Sequence, residues 1–478
     1  DENQTSASRS FSITVQNDAP SNHFNTVIYA DTTTSVSHSV GFAPDLVWFK
    51  ERNGANNHQL YDTIRGNDFA LFSNTTDAQN NYATHPNGDL APSITSTGFT
   101  TPSVVNNGIN RNGGTYVAWS FKAGGAAVAN TDGTINSQVS VNNTLGFSIV
   151  SYSGNSTSGA TVGHGLDASP DFVIIKSSNA SANWIVYSSP TGNGKYLYLN
   201  STSSAQSANW FDTSATTFTL NNTYGDANTS GRNYIAYNFT SKPGFSKVGS
   251  YTGNGSASGP IVQTGFEPAM VIFKRTNGVT SWRILDNKRF SGSNKSALIP
   301  NGNYAEQVGY IDVSFYANGF SINSNNTDFN ASGGNYIYLA IAADGSTATP
   351  SLANSFATEI YTGNSGTQSI TTGFKPDFSW IKARNYAYNH SLVDSVRGRN
   401  STLISDLDIA ANPNSGVDKD LISFDTNGIT VGPVNQAYIN PNYNMVSWNW
   451  KAGGTPSINT DGTITSVVSA NQAAGFSI

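Results

Sequence analysis

The chain has 478 residues, no cysteine, 11% charged residues and a formal net charge of −6. This balance supplies neither the basic face that nucleic acid needs nor a polybasic membrane anchor, and it leaves no disulfide framework, thiolate metal site or cysteine nucleophile. Hydrophobic residues at 37%, with 12% aromatics set in alternating runs, exclude a disordered chain, while the longest apolar runs, such as Leu339 to Ala343, fall far short of the roughly 18 residues of a membrane span, so a soluble protein is expected.

Residues 1–22 come first, and Ala7 to Pro20 (ASRSFSITVQNDAP) read as the last strand and exit of a preceding domain. From residue 23 the chain repeats one theme four times: a Pro-Asp or Pro-Ala step, a short apolar strand and a lysine. The copies are PDLVWFK ending at Lys50, PDFVIIK at Lys176, PAMVIFK at Lys274 and PDFSWIK at Lys382. Their spacing is that of one small domain, so four domains are expected. The predicted units are 23–125, 147–244, 245–345 and 356–454, with linkers at 126–146 and 346–355. Residues 455–478 read as a linker and the start of a further repeat, because Phe476-Ser477-Ile478 copies Phe147-Ser148-Ile149, and a longer parent chain is expected.

Each unit opens with an extended stretch around Tyr29, Tyr152, Tyr251 or Tyr361. A Gly-Phe-x-Pro motif follows at Gly41, Gly265 and Gly373, with a variant at Gly165-Leu166, and it places a proline just before the next strand, where its missing N–H costs least. The closing strand carries Val117, Trp119 and Phe121, repeated as Ile235, Tyr237, Phe239, then Ile337, Leu339, Ile341, then Val446, Trp448, Trp450. A period of two with bulky β-formers predicts a strand with one buried face. No window has sustained helical spacing. The expectation is an all-β protein, a tandem string of four β-sandwich domains of the jelly-roll or concanavalin-like kind.

The first and fourth units match best: Trp48 with Trp380, His58 with His390, Asp62 with Asp394 and Arg65-Gly66 with Arg397-Gly398. The higher-order repeat is therefore three units long, and the fourth restarts the series. The linker loop Asn130-Thr-Asp-Gly-Thr-Ile135 returns at Asn459 in the same sense.

The most site-like constellation is His58, Leu60, Asp62 and Arg65, which share a strand face in a regular strand. His58 and Asp62 would serve as an acid/base or ligand pair; the rival reading is an Asp–Arg pair that caps the turn. The third unit has Trp282, Ile284, Asp286 and Arg289 in these places, and the second has Trp184 and Ser188 for the His and Asp. Catalytic groups are not expected to swap so freely, which favours the cap. The lysines ending at Lys50, Lys176, Lys274 and Lys382 are read as strand-end residues that snorkel or discourage edge pairing. The Asn130 and Asn459 loops hold oxygen ligands and glycine but lack the carboxylates of a calcium loop, so tight turns are expected. The sequons at Asn74 and Asn238 reflect an Asn/Ser/Thr-rich composition.

Several longer motifs resemble modules of bacteriophage virion proteins of the tail-fibre type: Gly146-Phe-Ser-Ile-Val-Ser-Tyr152, Thr161-Val-Gly-His-Gly-Leu166, Lys247-Val-Gly-Ser-Tyr-Thr-Gly-Asn-Gly-Ser256, Phe273-Lys-Arg275 and Trp282-Arg-Ile-Leu-Asp-Asn-Lys-Arg289. The resemblance runs from about Phe24 to the end. It implies a β-sandwich fold and a structural or host-attachment role on the surface of a virus particle, as fibre or decoration. SFSITVQNDAP looks like the end of an immunoglobulin-like or cadherin-like module of long adhesins.

Taken together, these features give the expectation of a non-enzymatic virion protein, with no catalytic residue, metal or cofactor and with its ligand-binding residues unassigned. Its expected partners are other virion proteins, further copies of itself and a host-surface glycan or protein. The rivals are a bacterial cell-surface adhesin or filament subunit, and a glycan-binding or glycan-cleaving receptor protein whose two carboxylates would lie roughly 5 to 10 Å apart.

Overall fold

The computed structural model describes residues 19–343 and 355–478 except for positions 31–33, 85, 87–89, 104–107, 209, 222–225, 290–295, 310–311, 400, 414–419, 434–438, 455, 460–463 and 472–475. The expected exit strand of a preceding module falls on residues 7–18, outside the described residues. The protein is all-β, with antiparallel strand pairs and a single-turn α-helix at Thr327–Asn330.

Two units are distinct: residues 1–347, holding the first three repeats, and residues 348–478, holding the fourth. Every repeat has the same plan. In the first, an opening strand (Phe24–Ala30), a closing strand (Thr115–Phe121), a lysine strand (Leu46–Glu51) and an acid strand (Gln59–Asp62) lie side by side in that order. A second sheet of three strands, Val36–Ser39, Gly98–Thr101 and Ser93–Thr95, packs on them, with Val47, Phe49, Tyr61, Phe99 and Ala118 in the core between. The register is kept in all four repeats: Trp48 faces Trp119, Ile174 faces Tyr237, Ile272 faces Leu339 and Trp380 faces Trp448.

Local chemistry explains the repeated motif. The glycine of Gly-Phe-x-Pro sits at φ +92°, +70°, +88° and +85° at Gly41, Gly165, Gly265 and Gly373, a region that other residues rarely adopt. The aspartate of the Pro-Asp step ties three segments together: Asp45 accepts from Thr63 Oγ1 (3.1 Å) and from the Ala123 N–H (2.7 Å) just past the closing strand. Asp171 does the same with Ser189 and Ser241, and Asp377 with Ser395 and Ala452.

The first three sandwiches do not form the expected string. They share one further core, built from the opposite face of their larger sheets: Leu46, Trp48, Val117, Trp119 and Phe121 of the first repeat, Phe172, Ile174, Ile235, Tyr237 and Phe239 of the second, Met270, Ile272, Ile337, Leu339 and Ile341 of the third. The bulky period-two residues of the closing strand therefore point into this common core, while the small ones between them, Ala118, Ala236 and Ala340, line the separate sandwich cores. The closing strand is buried on both faces, not one. Such a strand reads as a nearly continuous apolar run, as YVAW, YIAY and YIYLAIA do in the three closing strands.

The predicted linker 126–146 is also partly sheet. Val128–Asn130 and Ser137–Asn142 form a hairpin that pairs with the second repeat's opening strand and contributes to an eight-stranded sheet. In the second unit, Ser457–Asn459 pairs with Ser466–Val468 as the matching hairpin.

A common core makes the three sandwiches one folding unit. Trp119→Ala removes a fully buried side chain from it and is expected to cost about 3–5 kcal/mol. In calorimetry the transition of residues 1–347 should move as a whole while that of residues 348–478 stays in place. Three separate transitions within the first unit would contradict the shared core.

Candidate functional site

The residues that the sequence marks as site-like converge on the junctions between sandwiches in the first unit. Each junction follows one cyclic rule: the second repeat meets the first, the third meets the second, and the first meets the third.

The first contact runs from the closing strand of one repeat to the acid strand of another. Tyr237 of the second repeat donates its hydroxyl to Asp62 of the first (2.7 Å), and Trp119 of the first donates its indole N–H to Asp286 of the third (2.9 Å). At the remaining junction Leu339 stands in the donor's place and Ser188 in the acceptor's. Where a carboxylate is present its donor is present, and where the donor is aliphatic the carboxylate is gone.

The second contact uses the residue just before or at the start of the acid strand. Trp184 Nε1 donates to the Phe72 carbonyl of the first repeat and Trp282 Nε1 to the Tyr198 carbonyl of the second, both at 2.9 Å. His58 occupies the same place in the first repeat. Its Nδ1 accepts from Trp48 Nε1 at 2.9 Å, and its Nε2 faces the backbone of Ile299 in the third repeat without reaching full hydrogen-bond geometry. The exchange of His for Trp thus conserves an aromatic N–H at one spot of the junction.

His58 and Asp62 share the face expected of them, yet they work separately. Asp62 is held by its own turn, accepting from the Arg65 backbone N–H (2.9 Å) and from Arg65 Nε (2.6 Å), and Asp286 repeats this with Arg289 at 3.0 and 2.6 Å. The Arg289 guanidinium also pairs with Glu306 (2.6 Å) and lies over the Trp119 ring at 5.6 Å, while Arg52 reaches Glu306 at 2.8 Å to close the junction between third and first repeats. Burial, helped by the charge of Lys50, pushes the His58 imidazole well below its usual pKa, so it is neutral. His58 and Asp62 are 0% and 1% exposed, out of reach of a substrate in solution.

The lysines depart from expectation. The lysine strand lies between the closing and acid strands, so it guards no edge, and Lys50, Lys176 and Lys274 are buried. Their ammonium groups donate to carbonyls: Lys176 to Thr76 of the first repeat and Lys274 to Thr202 of the second, each at 3.2 Å, and Lys50 to Gly54 at 3.0 Å. Burial lowers all three to about 8.

The remaining sequence candidates lie elsewhere. The Asn130 loop closes on itself, with the Asp132 N–H donating to Asn130 Oδ1 at 3.0 Å, while its counterpart at 460–463 lies outside the described residues. Among the described residues, no group of three or more His, Asp or Glu could hold a metal. Asn238 is fully buried, and Asn74 bonds His58 N–H and Asn57.

Sequence reasoning passed over one set. Tyr29, Tyr152, Tyr251 and Tyr361 each donate their hydroxyl to the carbonyl of Ile109, Ala227, Phe329 and Ile439, at 2.6–2.9 Å. The residue after each carbonyl is a buried asparagine, Asn110, Asn228, Asn330 or Asn440. Their signal was the spacing to the closing strand, which starts five residues later in the first three repeats and four later in the fourth, hidden among many asparagines.

The family model for a domain of unknown function, DUF7483, matches residues 19–344 and again residues 351–478. The chain belongs to the DUF7483 family. The first match spans the three sandwiches on the shared core, and the second covers the fourth sandwich and its hairpin, so this DUF7483 chain carries the family's unit once with three sandwiches and again with one. No curated protein and no solved structure matches the chain.

Two measurements follow from the junctions. Tyr237→Phe and Asp62→Asn each remove one partner of a buried bond and are expected to cost about 1–3 kcal/mol, with the double variant costing clearly less than the sum; additive costs would dissolve the pairing. The lysines give a pH signature. Their folded pKa lies below the unfolded 10.5, so between about pH 8 and 10 the unfolded chain binds more protons and stability rises with pH, by up to about 1.4 kcal/mol per pH unit for each lysine. Urea midpoints of the first unit should increase from pH 7.5 to 9.5, and Lys176→Met should keep about two thirds of the gain. Equal midpoints at both pH values would refute buried, protonated lysines.

Proposed function

We propose that the chain is a non-enzymatic structural protein of a bacteriophage particle, a fibre or decoration displayed on the virion surface. One observation carries the reading. In the first unit the chemically capable residues that recur from repeat to repeat, the tryptophans of the His/Trp position, the acids of the Asp–Arg pairs and two of the three lysines, are spent on joining sandwich to sandwich. Selection that keeps such contacts is selection for a stiff assembly of domains. The resemblance of Gly146-Phe-Ser-Ile-Val-Ser-Tyr152 and its companion motifs to virion modules supplies the setting.

On this reading the three-sandwich unit presents loops from several copies of one fold. Weak contacts of these loops with a host-surface glycan or protein would add through avidity. Its other partners are neighbouring virion proteins and further copies of itself.

The test is electron microscopy of purified particles labelled with an antibody against residues 24–343. Label on a fibre or capsid surface is the expected result. Label on cell envelopes with none on particles would replace the reading with that of a cellular adhesin.

A further inference from the structure

The fourth sandwich carries on its surface the face that the first sandwich buries. Along its lysine strand, Phe378–Ala383, burial alternates: Ser379, Ile381 and Ala383 point into the sandwich's own core, and Phe378, Trp380 and Lys382 are half-exposed. Trp448 and Trp450 on the closing strand and Leu392 on the acid strand are half-exposed as well, and Leu403 is 38% exposed. Their counterparts Leu46, Trp48, Lys50, Trp119, Phe121, Leu60 and Leu71 are all at most 5% exposed, in the shared core or beside it. Three tryptophans and a phenylalanine on one sheet face form an apolar patch of the kind that marks an interface.

The polar fittings of a junction are also in place. Trp380 Nε1 donates to His390 Nδ1 at 2.9 Å, as Trp48 does to His58, and Arg397 Nε donates to Asp394 Oδ2 at 2.6 Å, as Arg65 does to Asp62. Among the described residues, Asp394 has no tyrosine like Tyr237 upon it and the Trp448 indole has no carboxylate like Asp286. One cross-repeat contact is already made. Phe476 lies 6.0 Å from the Trp450 ring, as Phe147 lies 5.5 Å from Phe121, and Asn471 pairs with Phe476 as Asn142 pairs with Phe147.

We propose that this face is the docking surface for two further sandwiches, one of the second repeat's kind and one of the third's. They enter from the strand at Phe476 as the second repeat enters from Phe147, and close a second shared core. The occupant is specified by what the face lacks: a hydroxyl donor for Asp394 and an Asp–Arg pair for Trp448, which the second and third repeats supply to the first. A second copy of the same face would bring neither the hydroxyl donor nor the Asp–Arg pair in the second and third repeats' places, and it is an outcome of the test. The inference rests on the shared core and is independent of the virion reading.

The test appends residues 150–344 of this sequence after Ile478, in register because Phe476-Ser477-Ile478 repeats Phe147-Ser148-Ile149. Acrylamide quenching, with Trp380→Phe, Trp448→Phe and Trp450→Phe variants to assign the signal, should show the three tryptophans exposed in the 478-residue chain and at least tenfold less quenchable in the extended one. Asp394→Asn in the extended chain should lower one calorimetric transition and leave that of residues 1–347 unmoved. The proposal is overturned if the appended sandwiches fold and the tryptophans stay quenchable, or if the appended sandwiches fail to fold beside an intact face. It is also overturned if the 478-residue chain sediments as an oligomer with these tryptophans already protected.

Discussion

Everything in the first unit depends on one constraint: the larger sheet of each sandwich is apolar on both faces and must be covered on both. The inner face is satisfied locally by the three-stranded sheet of the same repeat. The outer face, rich in Trp, Phe and Ile, has no partner within the repeat, so three repeats cover one another. Burial of a side chain the size of Trp119 or Phe239 is worth a few kcal/mol, and the shared core holds many such side chains. This is more than the loop-closure entropy of bringing three domains together, which grows only slowly with length.

Covering both faces dictates what the polar groups do. Side chains at the rim of the shared core must be satisfied largely without water, and the acids, tryptophans and lysines there find partners in an adjacent repeat or in their own. Asp62 and Asp286 sit on their own arginines and also accept from an aromatic of another repeat. Lys176 and Lys274 are held by carbonyls across the same boundary and Lys50 by carbonyls of its own repeat, and all three bear the desolvation cost in their lowered proton affinity.

Much of the fold was legible in the sequence because the repeats could be read against one another. The strands, the all-β class and the three-unit higher-order period all follow from PDLVWFK and its relatives. The shared core was not legible, since a period of two separates two faces without saying which is inside. When Val47 and Trp48 are both buried, alternation loses its meaning, and the bulky set Val117, Trp119 and Phe121 was naturally assigned to the sandwich core that Ala118 in fact lines. The turn cap of Asp62 by Arg65 was legible, but the contacts between repeats were not, for a related reason. Comparing copies position by position makes Ser188 and Leu339 look like losses, because the compensating partner lies in a different copy and is visible only once the cyclic contacts are known.

The unequal junctions also act as a proofreading device. Near-identical neighbouring domains are prone to dock in the wrong order while folding. Here the reversed cyclic order would set Leu339 against Asp62 and bury a carboxylate without its hydroxyl donor, while Trp119 would find only Ser188. Three interchangeable sandwiches could close around their common core in either of two cyclic orders; three that differ at one polar contact favour the order in which they are written.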